Sequence, residues 1–160
     1  METREVFLET FKAVEEKAVE LFIRDGYLQP VTFIIMDGEG EIVVGPVGEG
    51  NEKRQWYQAL ADRFRGKAVA YVQVQEAWYI KRQKEDDITG VAPSQCVDRR
   101  EAVIVVGETK NGLRKLTQRE ILRDGGMVRL EEPTKEDYDG FQSVISQYIF
   151  QAGCCSRREW

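Results

Sequence analysis

The segment Val31-Thr32-Phe33-Ile34-Ile35-Met36 constrains the fold more than any other. Successive side chains of an extended chain point to opposite sides, and here both sides are apolar. Such a strand is stable only where both faces are covered, which predicts a central strand in a sheet with helices packed on it. Asp37-Gly38-Glu39-Gly40 follows as turn chemistry, and Glu41-Ile42-Val43-Val44 returns, so the pair reads as a β-hairpin.

The flanking segments supply the helices. Phe7, Phe11, Val14, Ala18 and Leu21 fall at intervals of four, three, four and three, with Phe22 widening the stripe. This predicts an amphipathic helix from about Thr3 to Arg24, capped by Thr3 and ended by Gly26. Asn51 is expected to cap a second helix with Trp56, Leu60 and Phe64 on one face, closed by Gly66. From Ala68 to Ile80 the chain alternates as a long strand, its even face reading Ala68, Ala70, Val72, Val74, Glu76, Trp78, Ile80. Residues 82–97 read as a polar loop, and Ala102–Gly107 as a further strand. Lys110-Asn111-Gly112 reads as a type I′ hairpin signal leading into a strand from Leu113. Asp124-Gly125-Gly126 turns into a short strand, Met127–Leu130, and Pro133 is expected to stop the sheet. Thr134 is expected to cap a last helix bearing Tyr138, Phe141, Ile145 and Tyr148, ended by Gly153.

The sum is an α+β fold in one domain over residues 1–160: three helices and a mostly antiparallel sheet of five or six strands. The order is helix, two strands, helix, three or four strands, helix. That is also the element order of roadblock and profilin-like folds, an analogy that carries no function.

Composition removes whole classes of chemistry. The 160 residues contain no histidine, which excludes Ser-His-Asp and Cys-His catalysis and His-containing zinc sites. Cys96, Cys154 and Cys155 have no C-x-x-C spacing and read as reduced thiols. No metal or cofactor is expected. A net charge of −5 argues against bulk attraction to nucleic acid. The basic residues Lys53, Arg54, Arg63, Arg65 and Lys67, and those from Arg114 to Arg129, read as solvated faces. Gly45-Pro46-Val47-Gly48-Glu49-Gly50 lacks the Gly-Lys-Ser/Thr of a phosphate loop. Asp37, Glu39 and Glu41 lack the spacing of a calcium loop, and no Glu-x-Lys nuclease pair is present. The start Met1-Glu2-Thr3-Arg4-Glu5 has no signal-peptide character, and no apolar run approaches the about 20 residues that span a bilayer. The expected location is the cytoplasm, or the host cytoplasm for a viral protein.

One carboxylate stands out. Glu76 sits on the apolar even face, where an unpaired charge would be costly. It is expected to be substantially buried and paired, with Arg99 or Arg100 as partners if the long loop joins neighbouring antiparallel strands. Glu76, Trp78, Arg99, Arg100 and Glu101 are therefore the candidate binding residues.

Two quoted pieces, Val74-Gln75-Glu76-Ala77-Trp78 and Pro93-Ser94-Gln95-Cys96-Val97-Asp98-Arg99-Arg100-Glu101-Ala102-Val103, together resemble a set of small bacterial and phage-borne hypothetical proteins. Those pair a strand ending in Glu-Ala-Trp with a Pro-Ser-x-x-x-Asp-Arg-Arg/Lys-Glu segment. The resemblance spans about Ala68 to Gly107, implies no activity or catalytic residue, and falls on the patch that Glu76 marks. The expected function is a binding or regulatory module acting by protein–protein contact, through a sheet edge or a helix face. Alternatives are a small-ligand binder, such as a phage counter-defence protein, and a carboxylate/arginine enzyme. Trp56, Tyr57, Tyr148, Phe150 and Trp160 are more large aromatics than one domain is expected to bury, which predicts a homodimer or another protein partner.

Overall fold

The computed structural model describes residues 2–37, 39–46, 48–79, 100–134 and 144–150. In chain order it comprises α1 (Thr3–Asp25), β1 (Val31–Met36), β2 (Glu39–Val44), α2 (Asn51–Phe64), β3 (Ala68–Tyr79), β4 (Arg100–Thr109), β5 (Arg114–Asp124), β6 (Met127–Leu130) and α3 (Val144–Ile149). The six strands form one sheet in the order β2-β1-β3-β4-β5-β6, and every pairing is antiparallel. Strands β3 to β6 follow one another as a meander. Strands β2 and β3 run parallel with β1 between them, joined by α2. The α+β class, the three helices and the antiparallel sheet agree with the sequence reading.

The central strand is covered on both sides, as its composition demands. Val31, Phe33 and Ile35 join the cluster under α1, while Ile34 and Met36 join the cluster under α2 and α3. Phe7, Phe11, Val14, Ala18 and Phe22 of α1 are all buried against the sheet. Truncating one such phenylalanine to alanine costs about 3–5 kcal/mol, so the α1 seam carries a large share of a domain's marginal stability. The opposite face is closed by Leu60, Phe64, Ile145 and Ile149 against Tyr71 and Ile34.

The even face of β3 is not continuous. Ile35 pairs with Ala70, but Met36 pairs with Ala68, so Val69 is an extra residue in the strand. This bulge puts Ala68 in the α2/α3 cluster, whereas Ala70, Val72 and Val74 lie under α1. Alternation alone assigned Ala68 and Ala70 to one face, because period-two counting cannot register an inserted residue.

Local signals were shifted at three ends. Thr3 and Asn51 are the first residues inside their helices rather than their caps, and the capping positions are Glu2 and Gly50, neither making a side-chain cap bond. Gly26 does close α1 in the left-handed conformation, at φ 80°, donating its N–H to Phe22. The Lys110–Gly112 connection is not type I′. That turn needs positive φ at both central residues, and no non-glycine residue described here has one. Glu108 pairs with Arg114, so the loop spans Lys110, Asn111 and Gly112, with only Gly112 left-handed. The Asp124–Met127 pair leaves Gly125 and Gly126, at φ 57° and 88°, as a two-residue turn of the I′ kind. Pro133 does not end contact with the sheet: Thr134 bridges to Gln118 beyond it.

The expected start of the last helix, the 82–97 loop and all three cysteines lie outside the described residues. No described helix is long and apolar enough to cross a membrane.

Four of the five aromatics behind the dimer expectation make contacts within the chain. Tyr57 stacks on Tyr148 with ring centres 5.2 Å apart, Trp56 meets Tyr57 edge-on at 5.2 Å, and Phe150 is buried beside Tyr71. Trp160 lies outside the described residues.

Candidate functional site

Glu76 emerges from under α1 rather than staying beneath it. Along its face, Val72 and Val74 are buried, Glu76 keeps 29% of its side chain exposed, and Trp78 is 42% exposed. The carboxylate is tied at both oxygens. Oε2 accepts the Leu28 backbone N–H at 3.3 Å, and Oε1 lies 3.8 Å from Nη2 of Arg123. Arg123 also donates through Nε to Glu101 at 2.7 Å. Leu28 belongs to the link between α1 and β1, so the bridge fastens that link to β3, β4 and β5.

The partner is therefore Arg123, and the expected Arg100 is elsewhere. Register explains this. Glu76 stands beside Val103 and Trp78 beside Glu101, all on the α1 side, while Arg100 stands beside Tyr79 in the alternate row. Arg100 points to the opposite face, where its Nη1 meets Glu120 at 3.3 Å. Arg99 lies outside the described residues. The structure thus gathers Glu76, Trp78 and Glu101, separates Arg100, and adds Arg123, which no sequence signal within β5 distinguished from its neighbours. Partly exposed pairs of this kind hold elements together weakly. Among the described residues no group of three or more Cys, Asp or Glu is placed to hold a metal ion.

A second arrangement lies at the other end of the α1 face. Helix α1 packs mainly on β3, β4 and β6; Ile35 of β1 is still buried in its cluster, while β2 beyond it keeps Ile42 and Val44 exposed. A groove of about 620 Å³ results, with Thr3, Val6 and Thr10 of α1 as one wall and Phe33, Ile35 and Ile42 as its floor. Ile42 is 63% exposed and Val44 48% exposed, on the same side of the sheet. Gly40, beside them in this row, adds no side chain.

Strand β2 is also an edge, and its hydrogen-bond phase is fixed. Gly45 donates its N–H to the Pro30 carbonyl, one step beyond the Val31–Val44 pair. That makes Val31–Val44 a non-hydrogen-bonded pair, and by alternation Phe33–Ile42 and Ile35–Gly40 are the same. The N–H and C=O groups of Gly40, Ile42 and Val44 therefore point away from β1. The Val44 carbonyl accepts the Trp56 indole N–H at 2.8 Å. Among the described residues nothing bonds the outward groups of Gly40 and Ile42. Pro30 has no N–H to return to Gly45, and Thr32 supplies the missing donor: its hydroxyl bonds the Gly45 carbonyl at 3.1 Å and accepts Gln73 Nε2 at 3.1 Å.

Three carboxylates, Asp37, Glu39 and Glu41, border the groove, and by register Glu39 and Glu41 stand in the alternate row of β2, on the α2 side. Glu41 pairs with Arg63 of α2, whereas Asp37 and Glu39 make no ion pair among the described residues. Sequence reading named these three carboxylates only as a hairpin. The signal it passed over was the mix itself, acidic residues alternating with glycine and then a valine–isoleucine end, which suits an edge strand. Comparison of the chain with protein-family models, with curated proteins and with solved structures found no match.

Proposed function

We propose that the protein is a small binding or regulatory module that engages another protein through the β2 edge and the groove beside it. One observation carries the reading: outward backbone groups at Gly40 and Ile42 lie next to the exposed side chains of Ile42 and Val44, above a ready apolar groove. Open edges and apolar patches are normally blunted in proteins that act alone. The Glu76–Arg123–Glu101 bridge is read as a structural tie. Affinity capture from the native cell tests the assignment, comparing the wild-type chain with Ile42→Lys and Glu76→Gln. A partner held by wild type and Glu76→Gln and lost by Ile42→Lys is the expected result. A partner still held by Ile42→Lys places the interface elsewhere, and one lost only with Glu76→Gln moves it to the bridge.

The groove also falls within the volume range of small-ligand sites, which supports a ligand binder as the second reading. Native mass spectrometry of the freshly purified chain separates the two: a small adduct that Ile42→Lys removes favours the ligand.

A further inference from the structure

Taking the β2 edge as the interface, we infer that its occupant is an extended segment of a different protein, added as a strand to β2. That segment carries apolar residues at alternate positions and a lysine or arginine at the end beside Asp37 and Glu39.

The backbone decides between strand and helix. Gly40 and Ile42 each present one donor and one acceptor outward, two residues apart along an edge, which is the repeat of an antiparallel ladder. A helix has no free backbone groups to meet them, and they would be buried without partners at a cost. The side chains decide the pattern. The strand's α1-side residues would lie against the exposed Ile42 and over the groove beside Gly40, short of the Trp56 indole at Val44, while the intervening residues would face away. The rim decides the charge. Asp37 and Glu39 are unpaired among the described residues, and an incoming cation meets no competing basic group paired to them.

A second copy of this chain is the obvious rival, and the edge is built against it. Antiparallel pairing about a two-fold axis at Ile42 sets Gly40 against Val44 of the second copy. The carbonyl of Val44 is already taken by Trp56, whose indole stands where the new strand would run. An axis at Val43 meets the same obstacle. Moving the axis to Glu41 sets Glu41 directly opposite its own copy, and moving it to Gly40 sets Glu39 opposite Glu41. Like charges directly across a ladder are destabilising. Two-fold registers about Ile42 and Val43 are thus obstructed by the indole, that about Gly40 sets Glu39 against Glu41, and that about Glu41 sets two Glu41–Arg63 pairs face to face, whereas a foreign strand with a basic residue gains from Asp37 and Glu39.

The test is selection of short random peptides on the full chain, with counter-selection on Ile42→Lys. Enrichment of peptides with alternating apolar residues and a basic end is the expected result. Their binding should fall about tenfold or more when alternate peptide nitrogens are methylated, because the ladder donors are removed. It should fall similarly with Gly40→Pro, which removes an outward N–H and no bond to β1. Hydrogen exchange at the Gly40 and Ile42 amides should slow in the complex. Peptides of helical period or acidic character that still depend on Ile42 would overturn this inference while leaving the edge as the interface. Enrichment indifferent to Ile42, or none, would remove both. Concentration-dependent self-association abolished by Ile42→Lys would replace the foreign strand with a second copy.

Discussion

Gly107 and Gly40 lie on the same face of the same sheet, and they are glycines for opposite reasons. A methyl group on Gly107 would stand 2.7 Å from Phe7 Cε1 and 2.8 Å from the Tyr71 carbonyl oxygen. A methyl group on Gly40 would meet only the Ile34 carbonyl, at 3.9 Å. At Gly107 the helix has come so close that no side chain fits, and the covering is finished. At Gly40 the missing side chain leaves room. The difference shows that α1 is not centred on its sheet: it closes tightly over β3 and β4, reaches Ile35 of β1, and leaves β2 open on that face. An absence of side chain can thus mark the tightest packing in a face or the place where packing has been withheld.

The contrast breaks or sharpens with substitution. The largest effect is expected from Gly107→Ala, which forces Phe7 or the β3 backbone to move and should destabilise the fold by about 2–3 kcal/mol in denaturant titration. A neutral Gly107→Ala would mean that α1 is loosely seated and would dissolve the comparison. Trp56→Phe comes next. It keeps a ring on α2 but removes the N–H that holds the Val44 carbonyl, and should cost about 1 kcal/mol. Trp56→Ala, which removes the ring as well, should begin to self-associate in sedimentation experiments, since the register centred on Ile42 is then open. Glu76→Gln should cost less than about 1 kcal/mol, because the pair with Arg123 is partly exposed and long. Gly40→Val should change stability by no more than about 0.5 kcal/mol, while filling the groove and weakening partner binding.

The smallest effect concerns alkaline stability. Burial, and then the neighbouring Tyr148, raise the ionisation of the Tyr57 phenol above its ordinary value. The folded state therefore holds that proton more firmly than the unfolded one. The associated stability is complete below about pH 10 and is lost as pH rises through the folded value. Tyr57→Phe should lose less stability over that interval than the wild-type chain, and ultraviolet titration should lose one late-ionising tyrosine.

Much of the architecture could be read from periodicity. The seam from Phe7 to Phe22 and the doubly apolar run from Val31 to Met36 each admit one solution, a helix on a sheet and a strand between layers. The carboxylate was harder. Alternation correctly placed Glu76 on the face of Val72 and Val74, but nothing in sequence says where along β3 the helix stops covering it. Nor could adjacency be read: Arg100 was near in the chain yet faced the other way, and Arg123 was distant yet two strands over. The β2 edge was least legible. An edge is defined by what does not pair with it, and the sequence of Glu39–Val44 looks the same whether or not a seventh strand lies outside. The phase of its outward groups depends on one bond, Gly45 to Pro30, that no local pattern announces.

The extra residue at Val69 has a consequence for how this chain can change length. In a regular strand, losing one residue sends every side chain on one side of the loss to the wrong layer. Val69 is the residue by which β3 exceeds β1, so its removal would restore plain alternation, with Ala68 still towards α2 and α3 and Ala70 still towards α1. The bulge is a place where the reading frame of the sheet has slack. Natural variants of this protein that differ by a single residue within β3 should differ there, between Ala68 and Ala70, and a designed deletion of Val69 should fold where deletion of Gln73 should not.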